Sequence, residues 1–433
     1  MSGPAGTRSI NMQIQHLPEN HNPLINILLH CLHEDLSLFP GDQLKNMDKD
    51  QWRELADLAV EHRVVPVLYQ RLTASGVAEG DNNREAFRRL KTYSRQVAKY
   101  NLQYMGELQK LLEQCNHRKI PVILLKGIYL AGQIYENPGL REMNDLDILC
   151  KKEDLHEVYR ILESMGYRSI NPVQMENVDN VTEQEHHLAP MIKDEVAAFE
   201  IHWNITRPDN HYSINPDKLW ERAQEMSFAC ETAFSLSAED LLLHLCVHTS
   251  YQHKFSFGLR PFLDLAEVIK QKNSRIDWDL FIKRARNFKW ERGVYLALII
   301  ARNFTGAAVP DKVLKELYPE DEYPDILKTA VRQIFTQKKD SGILTPAMVN
   351  FANEKSLSGR VMILIRQIFW PKKVMVKIYP VREGSLKLYL YYVVRFWEVF
   401  KRMAFNTLKI FRGDAHLTEI ANRKQKLQSW LKN

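Results

Sequence analysis

Residues 121–150, PVILLKGIYLAGQIYENPGLREMNDLDILC, constrain the fold of this chain more than any other stretch. Residues 122–125 form an apolar run of the length expected for a short buried strand. Lys126 and Gly127 interrupt that run, residues 128–135 read as helix, and Asn137-Pro138-Gly139 is turn material. Over residues 144–149 acids alternate with aliphatic side chains. Alternation at period two predicts a strand with Asp145 and Asp147 on one face and Leu146 and Ile148 on the other. Two carboxylates on one strand face repel each other, so a cation is the natural reason to keep them together.

A third acid in similar surroundings, Glu200, lies between Phe199 and Ile201 in a second apolar segment, residues 196–203. If the two strands are neighbours in one sheet, Asp145, Asp147 and Glu200 converge. Such a carboxylate set holds hard divalent ions through oxygen, Mg²⁺ first and Mn²⁺ as the substitute. Two ions about 3.5–4 Å apart would clamp the attacking and leaving oxygens of a phosphoryl transfer.

These residues resemble the signature of nucleotidyltransferases with the DNA polymerase beta-like fold: a strand ending at glycine, a short helix, an acid-x-acid strand and a later strand bearing one acid. More narrowly, LLKGIYLAGQIYENPGLREMNDLDIL is similar to a bacterial nucleotidyltransferase family that carries LKG and then Y-x-x-P-x-x-R-x-x-x-D-x-D. The resemblance runs from about residue 24 to 314. It implies transfer of a nucleoside monophosphate from an NTP, ATP among them, to an acceptor, with release of pyrophosphate. Asp145 and Asp147 would bind both ions and Glu200 would complete one shell. Gly127, at the start of a helix, would let backbone N–H groups approach the phosphates, and Arg141 would serve the triphosphate. One departure stands out: the superfamily usually has Gly-Ser or Gly-Gly after the first strand, and this chain has Lys126-Gly127-Ile128. Lys126 could supply positive charge to a phosphate instead. The segment HTSYQHKFSFGLRPFLD resembles the same family and adds His248, His253, Arg260 and Asp264 as further nucleotide-site candidates.

The rest of the chain supplies helices. Residues 24–38, 52–72 and 85–115 carry apolar residues at helical spacing, the last with Phe87, Leu90, Val97, Tyr104, Leu108 and Leu111 near one stripe. Its basic first half, Arg84 to Lys99, is a solvated face or a wall that attracts an anionic nucleotide. Residues 154–165 read as helix ended by Gly166, and Ser237 with Asp240 as the cap of the next one. His244 and His248 share a helix face, but no glutamate follows His244, so HExxH chemistry is excluded and core or interface histidines are expected. The implied fold is α+β: a small mixed-sheet core, residues 118–236, embedded in helical regions at 22–117 and 237–354. Residues 1–21 are expected to form a flexible tail, without the pattern of a secretory signal.

The five cysteines form no CxxC pair, which points to a reducing cytoplasm and argues against structural zinc. The formal net charge of +6 is unevenly spread. Residues 355–433 hold 17 Lys and Arg against 4 Asp and Glu, a balance of +13 that leaves −7 on residues 1–354. That end is also aromatic, with Phe369, Trp370, Tyr379, Tyr389, Tyr391, Tyr392, Phe396, Trp397 and Phe400. Its apolar runs are too short and too charged to span a bilayer. Two readings remain for it: peripheral contact with the anionic inner membrane face, or a helical subdomain burying Phe369, Tyr389, Val393 and Phe396. The acceptor stays open among small molecules, sugar phosphates, proteins and RNA. The alternative to an enzyme is a non-catalytic nucleotide-binding or membrane-associated scaffold that kept the fold.

Overall fold

The computed structural model describes residues 22–77, 79–171, 178–194, 196, 198–208, 213–319 and 323–336, and beyond them 356, 358–359, 362, 365, 368–370, 372, 375, 384–397 and 415–432. The expected tail at 1–21, and Tyr379 and Phe400 of the basic end, lie outside the described residues. The chain divides into two compact units. The first holds Met1–Pro172, Val178–His253 and Phe257–Asp321; the second holds Val173–Asn177, Lys254–Ser256 and Glu322–Asn433.

The first unit is built on one mixed sheet of seven strands: β1 Ile123–Leu124, β2 Asp145–Leu149, β3 Arg168–Ser169, β4 Met191–Ile192, β5 Ala198–His202, β6 Gln224–Phe228 and β7 Glu231–Ser235. Their order is β3-β4-β5-β2-β1-β7-β6. The fold is α+β, as the strand and helix patterns imply. β1 is antiparallel to β2, with Ile123 opposite Leu149 and Leu124 opposite Ile148. β2 runs parallel to β5, in a register that sets Asp145 opposite Ala198, Asp147 opposite Glu200 and Leu149 opposite His202. Side chains alternate along each strand. Leu146, Ile148, Phe199 and Ile201, all fully buried, therefore share one face, and the acids share the other. Burial of that aliphatic face fixes the register, because a slip of one residue would turn the acids into the core.

Helices cover the sheet. The long helix Arg84–His117 buries Phe87, Leu90, Val97, Leu108 and Leu111, and packs on β7 and on the helix Leu155–Ser164. Gly166 ends the latter at φ +90°, a conformation glycine adopts without strain. The periodic run over 52–72 is two helices, not one: Lys49–Glu61 and Val65–Ala74. Arg63 takes φ +57° between them, and Pro66 suits the first turn of the second. After the sheet, Ser237 caps the helix Ala238–Val247 by accepting from the Asp240 amide. A five-residue π-helical turn, His248–Gln252, continues it.

In the second unit the helix Tyr323–Ile334 packs against Ala415–Lys432. Met375 and Leu388 are buried together beside Trp370, Tyr391 and Tyr392. The Arg395 guanidinium lies 3.2 Å over the Trp370 ring. Phe369, Tyr389, Val393 and Phe396 are all exposed, although Phe369 stacks on Tyr392 and the Phe396 ring meets Trp397. Among the described residues no helix is long and apolar enough to cross a membrane.

The hairpin β6–β7 has no counterpart in the sequence pattern described above. Its two-residue turn is Ala229-Cys230, with φ of +48° and +70° at residues that carry side chains. Such a turn favours Asn-Gly, and each L side chain held left-handed costs about 1 kcal/mol or more. Replacing Ala229-Cys230 by Asn-Gly should therefore raise the thermal midpoint by a few degrees. A midpoint that falls or stays put would show that this turn is not strained.

Candidate functional site

The site sits on the polar face of β2 and β5. Asp147 Oδ1 is 2.8 Å from Lys126 Nζ and 2.8 Å from His202 Nε2. His202 Nε2 is also 3.6 Å from Glu200 Oε2. Asp147 is 2% exposed, whereas the side chain of Glu200 is 23% exposed, so the site opens on the Glu200 side. Asp145 lies one pleat away on the same face, partly exposed. The three acids expected to converge do share that face. His202 joins them as an unanticipated fourth member, although its spacing of two from Glu200 in a strand already carried that signal.

Lys126 reaches Asp147 because of its backbone. It opens the helix Lys126–Gln133 directly after β1, and the preceding Leu125 amide donates to the Asp147 carbonyl at 3.1 Å. Lys126 itself takes φ +38°, a left-handed conformation that costs an L residue about 1–2 kcal/mol. The next position must be glycine for a different reason. A Cβ on Gly127 would stand 2.5 Å from a guanidinium nitrogen of Arg141 and 3.2 Å from the Met143 Cβ.

Arg141 is only 6% exposed, and its guanidinium is engaged. Nε and Nη2 donate to the two carboxylate oxygens of Asp264 at 3.1 and 3.0 Å, and the Tyr135 hydroxyl donates to Asp264 at 3.0 Å. Asn101 of the long helix donates to the carbonyls of Pro138 and Arg141. Arg260 donates to the Glu142 carbonyl at 2.9 Å, and Tyr93 to the Glu142 carboxylate at 2.9 Å. The loop that delivers Asp145 is thus tied to the long helix and to the helix Arg260–Lys272. Of the family-motif residues, Arg260 and Asp264 hold this loop. His248 and His253 form a separate pair, with Nε2 atoms 3.1 Å apart and His253 stacked on Phe257 at 3.8 Å.

The electrostatics follow from burial and neighbours. Burial pushes the Asp147 carboxyl up, but Lys126 and His202 outweigh it and hold the group well below the usual carboxylate range. Asp145 goes the other way: burial and the Asp147 charge raise it, more than Lys126 lowers it. Glu200 is lowered: the cost of burial and the repulsion of Asp147 are outweighed by the His202 ring 3.6 Å away, together with Lys126.

One oxygen or nitrogen from each of Asp147, Glu200 and His202 lies within 4.8 Å of the others. That donor set fits a divalent ion, with two carboxylates suited to Mg²⁺ or Mn²⁺ and an imidazole that favours Mn²⁺ over Mg²⁺. In the arrangement seen, His202 Nε2 donates to Asp147 Oδ1, so the ring orients that carboxylate. To ligate an ion through Nε2 it would have to surrender this proton.

His244 is 1% exposed, and among the described residues neither of its ring nitrogens has a hydrogen-bond partner. Burial first, then Lys126 and His202, hold it well below 6.5. The folded state therefore keeps His244 neutral, while the unfolded chain protonates it below pH 6.5. Its contribution to stability is present above that pH and declines as pH falls, by up to about 1.4 kcal/mol per unit. Melting curves between pH 7.5 and 5 should show a shallower loss for His244→Leu than for the unaltered chain. Equal slopes would mean that His244 takes up its proton without unfolding.

Residues 48–306 match the family described as "Uncharacterised nucleotidyltransferase". The match covers more than half of the chain and contains Lys126, Gly127, Arg141, Asp145, Asp147, Glu200, His202, His248, His253, Arg260 and Asp264. It is narrower than the span of about 24 to 314 expected from the motif. No curated protein and no solved structure gives a significant match to the chain. With its acid-bearing strands side by side inside the matched region, the chain belongs to this nucleotidyltransferase family.

Proposed function

We propose that the chain is a metal-dependent nucleotidyltransferase of the polymerase beta-like type, acting on an NTP. The observation that carries this reading is the β2–β5 register, which sets Glu200 directly opposite Asp147 on the face that also bears Asp145 and His202. Asp147 is buried, Asp145 and Glu200 are partly so, and three carboxylates on one face repel one another. A site for positive charge explains them.

In the proposed reaction an acceptor hydroxyl oxygen forms a bond to the α-phosphorus of the NTP. The bond from that phosphorus to the bridging oxygen of the β-phosphate breaks, pyrophosphate leaves with the electron pair, and the hydroxyl proton passes to solvent or a nearby base. Asp145, Asp147 and Glu200 would hold divalent ions, Mg²⁺ or Mn²⁺, two being the number the family resemblance implies. Such ions supply charge that stabilises the triphosphate and the in-line displacement. His202 orients Asp147. Lys126 and the backbone at Gly127 face the phosphates, at a helix start where free N–H groups attract anions. His248 and His253 are assigned to the nucleotide side. Arg141 serves through its loop, since Asp264 already takes its guanidinium.

Incubation with each labelled NTP, Mg²⁺ and a cell extract should transfer label to an acceptor. Asp147→Asn and Glu200→Gln should each lower that transfer by at least about 100-fold. Because Asp147 is buried between two donors, its variant is first checked by melting. Glu200→Gln, at the open side, keeps the test independent of that outcome. Full transfer by both folded variants would contradict the assignment.

A further inference from the structure

The contact between Lys126 and Asp147 has a consequence for how ligands enter the site. A carboxylate oxygen offers two lone pairs. Asp147 Oδ1 gives one to Lys126 Nζ and one to His202 Nε2, both at 2.8 Å. A cation arriving at that oxygen competes with these two donors. His202 cannot easily yield: it is 1% exposed, its strand is paired along its length with β2, and His187 bridges to it from the other side. Lys126 can. Its amine ends a flexible four-carbon stem, and its side chain is 14% exposed against 2% for that of Asp147.

Charge points the same way. Asp145, Asp147 and Glu200 gather negative charge that Lys126 offsets in part. Once a divalent ion sits on Asp147, an ammonium beside it is repelled. The nearest new home for that ammonium is the triphosphate, because Lys126 stands one residue before Gly127 at the helix start where the phosphates are placed. The left-handed backbone of Lys126 fits this role. A glycine would take φ +38° without strain, so strain is tolerated here for the sake of the side chain.

We propose that Lys126 is a displaceable internal cation: it holds Asp147 while the site is empty of metal, is released when a divalent ion takes that oxygen, and is then captured by the nucleotide's phosphates. Ion and nucleotide therefore favour each other's binding, and Lys126 is a positioning residue for both. This rests on the nucleotidyltransferase reading above.

The test follows the lysine itself. The full chain is treated with an amine-acetylating reagent in EDTA, in Mn²⁺, and in Mn²⁺ with a non-hydrolysable ATP analogue, and labelling of Lys126 is read by mass spectrometry. Mn²⁺ binding is measured in parallel by electron paramagnetic resonance. The expected pattern is slow labelling in EDTA, labelling at least about ten-fold faster with Mn²⁺ alone, and renewed protection with the analogue. Lys126→Met, checked for folding by melting, should bind Mn²⁺ at least about ten-fold more tightly without nucleotide and bind the analogue more weakly with it. Mn²⁺ binding with unchanged Lys126 labelling would overturn the displacement while leaving the metal site intact. No Mn²⁺ binding at all would overturn the metal site, and this inference with it.

Discussion

A carboxylate as buried as that of Asp147 cannot remain ionised without partners, and the architecture around it reads as the provision of those partners. Two donors reach the same oxygen from opposite directions. Lys126 comes from the start of a helix and His202 from the neighbouring parallel strand. Removing either leaves a buried charge half satisfied, which costs several kcal/mol in typical cases. The parallel pairing of β2 with β5, the left-handed backbone of Lys126 and the tight passage at Gly127 all serve this one arrangement. A polar site thereby stands on two central strands whose other face, Leu146, Ile148, Phe199 and Ile201, is apolar and fully buried.

A second buried ion pair gives the site its rigidity. Arg141 and Asp264 meet through two hydrogen bonds, and Tyr135 adds a third to the same carboxylate. Bidentate geometry of this kind fixes orientation as well as distance. The pair joins the loop that leads into Asp145 to the helix Arg260–Lys272, while Asn101 and Tyr93 hold the same loop from the long helix. The helical part of the first unit therefore buttresses the loop from which the acids emerge. A loop so held can present carboxylates that repel one another without letting them drift apart.

Much of this was legible in the sequence, and the residues show where legibility ended. Asp145 and Asp147 announced a strand by alternating with Leu146 and Ile148, and Glu200 repeated the pattern in Phe199-Glu200-Ile201. Period-two alternation is a local signal and survives folding when one face is buried. His202 carried the same signal, two residues after Glu200, but a histidine before Trp203 also reads as ordinary core. The hairpin β6–β7 was hidden because Ala229-Cys230 lacks the glycine or asparagine that marks such a turn. The aim of Lys126 depended on a left-handed φ at a residue type that rarely adopts one. The Arg141–Asp264 pair, separated by more than a hundred residues, has no local signature at all. Pattern reasoning finds elements and faces; partners across the chain come only with the fold.

The central claim is that Asp145, Asp147 and Glu200 form a metal centre for a nucleoside triphosphate. Anomalous diffraction from crystals of the full chain, grown with Mn²⁺ and a non-hydrolysable NTP analogue, tests it most directly. The account predicts an anomalous peak about 2.0–2.6 Å from carboxylate oxygens of Asp147 and Glu200, with phosphate oxygens of the analogue on the same ion. Analogue bound elsewhere, with Lys126 still seated on Asp147 and no peak at the three acids, would contradict it.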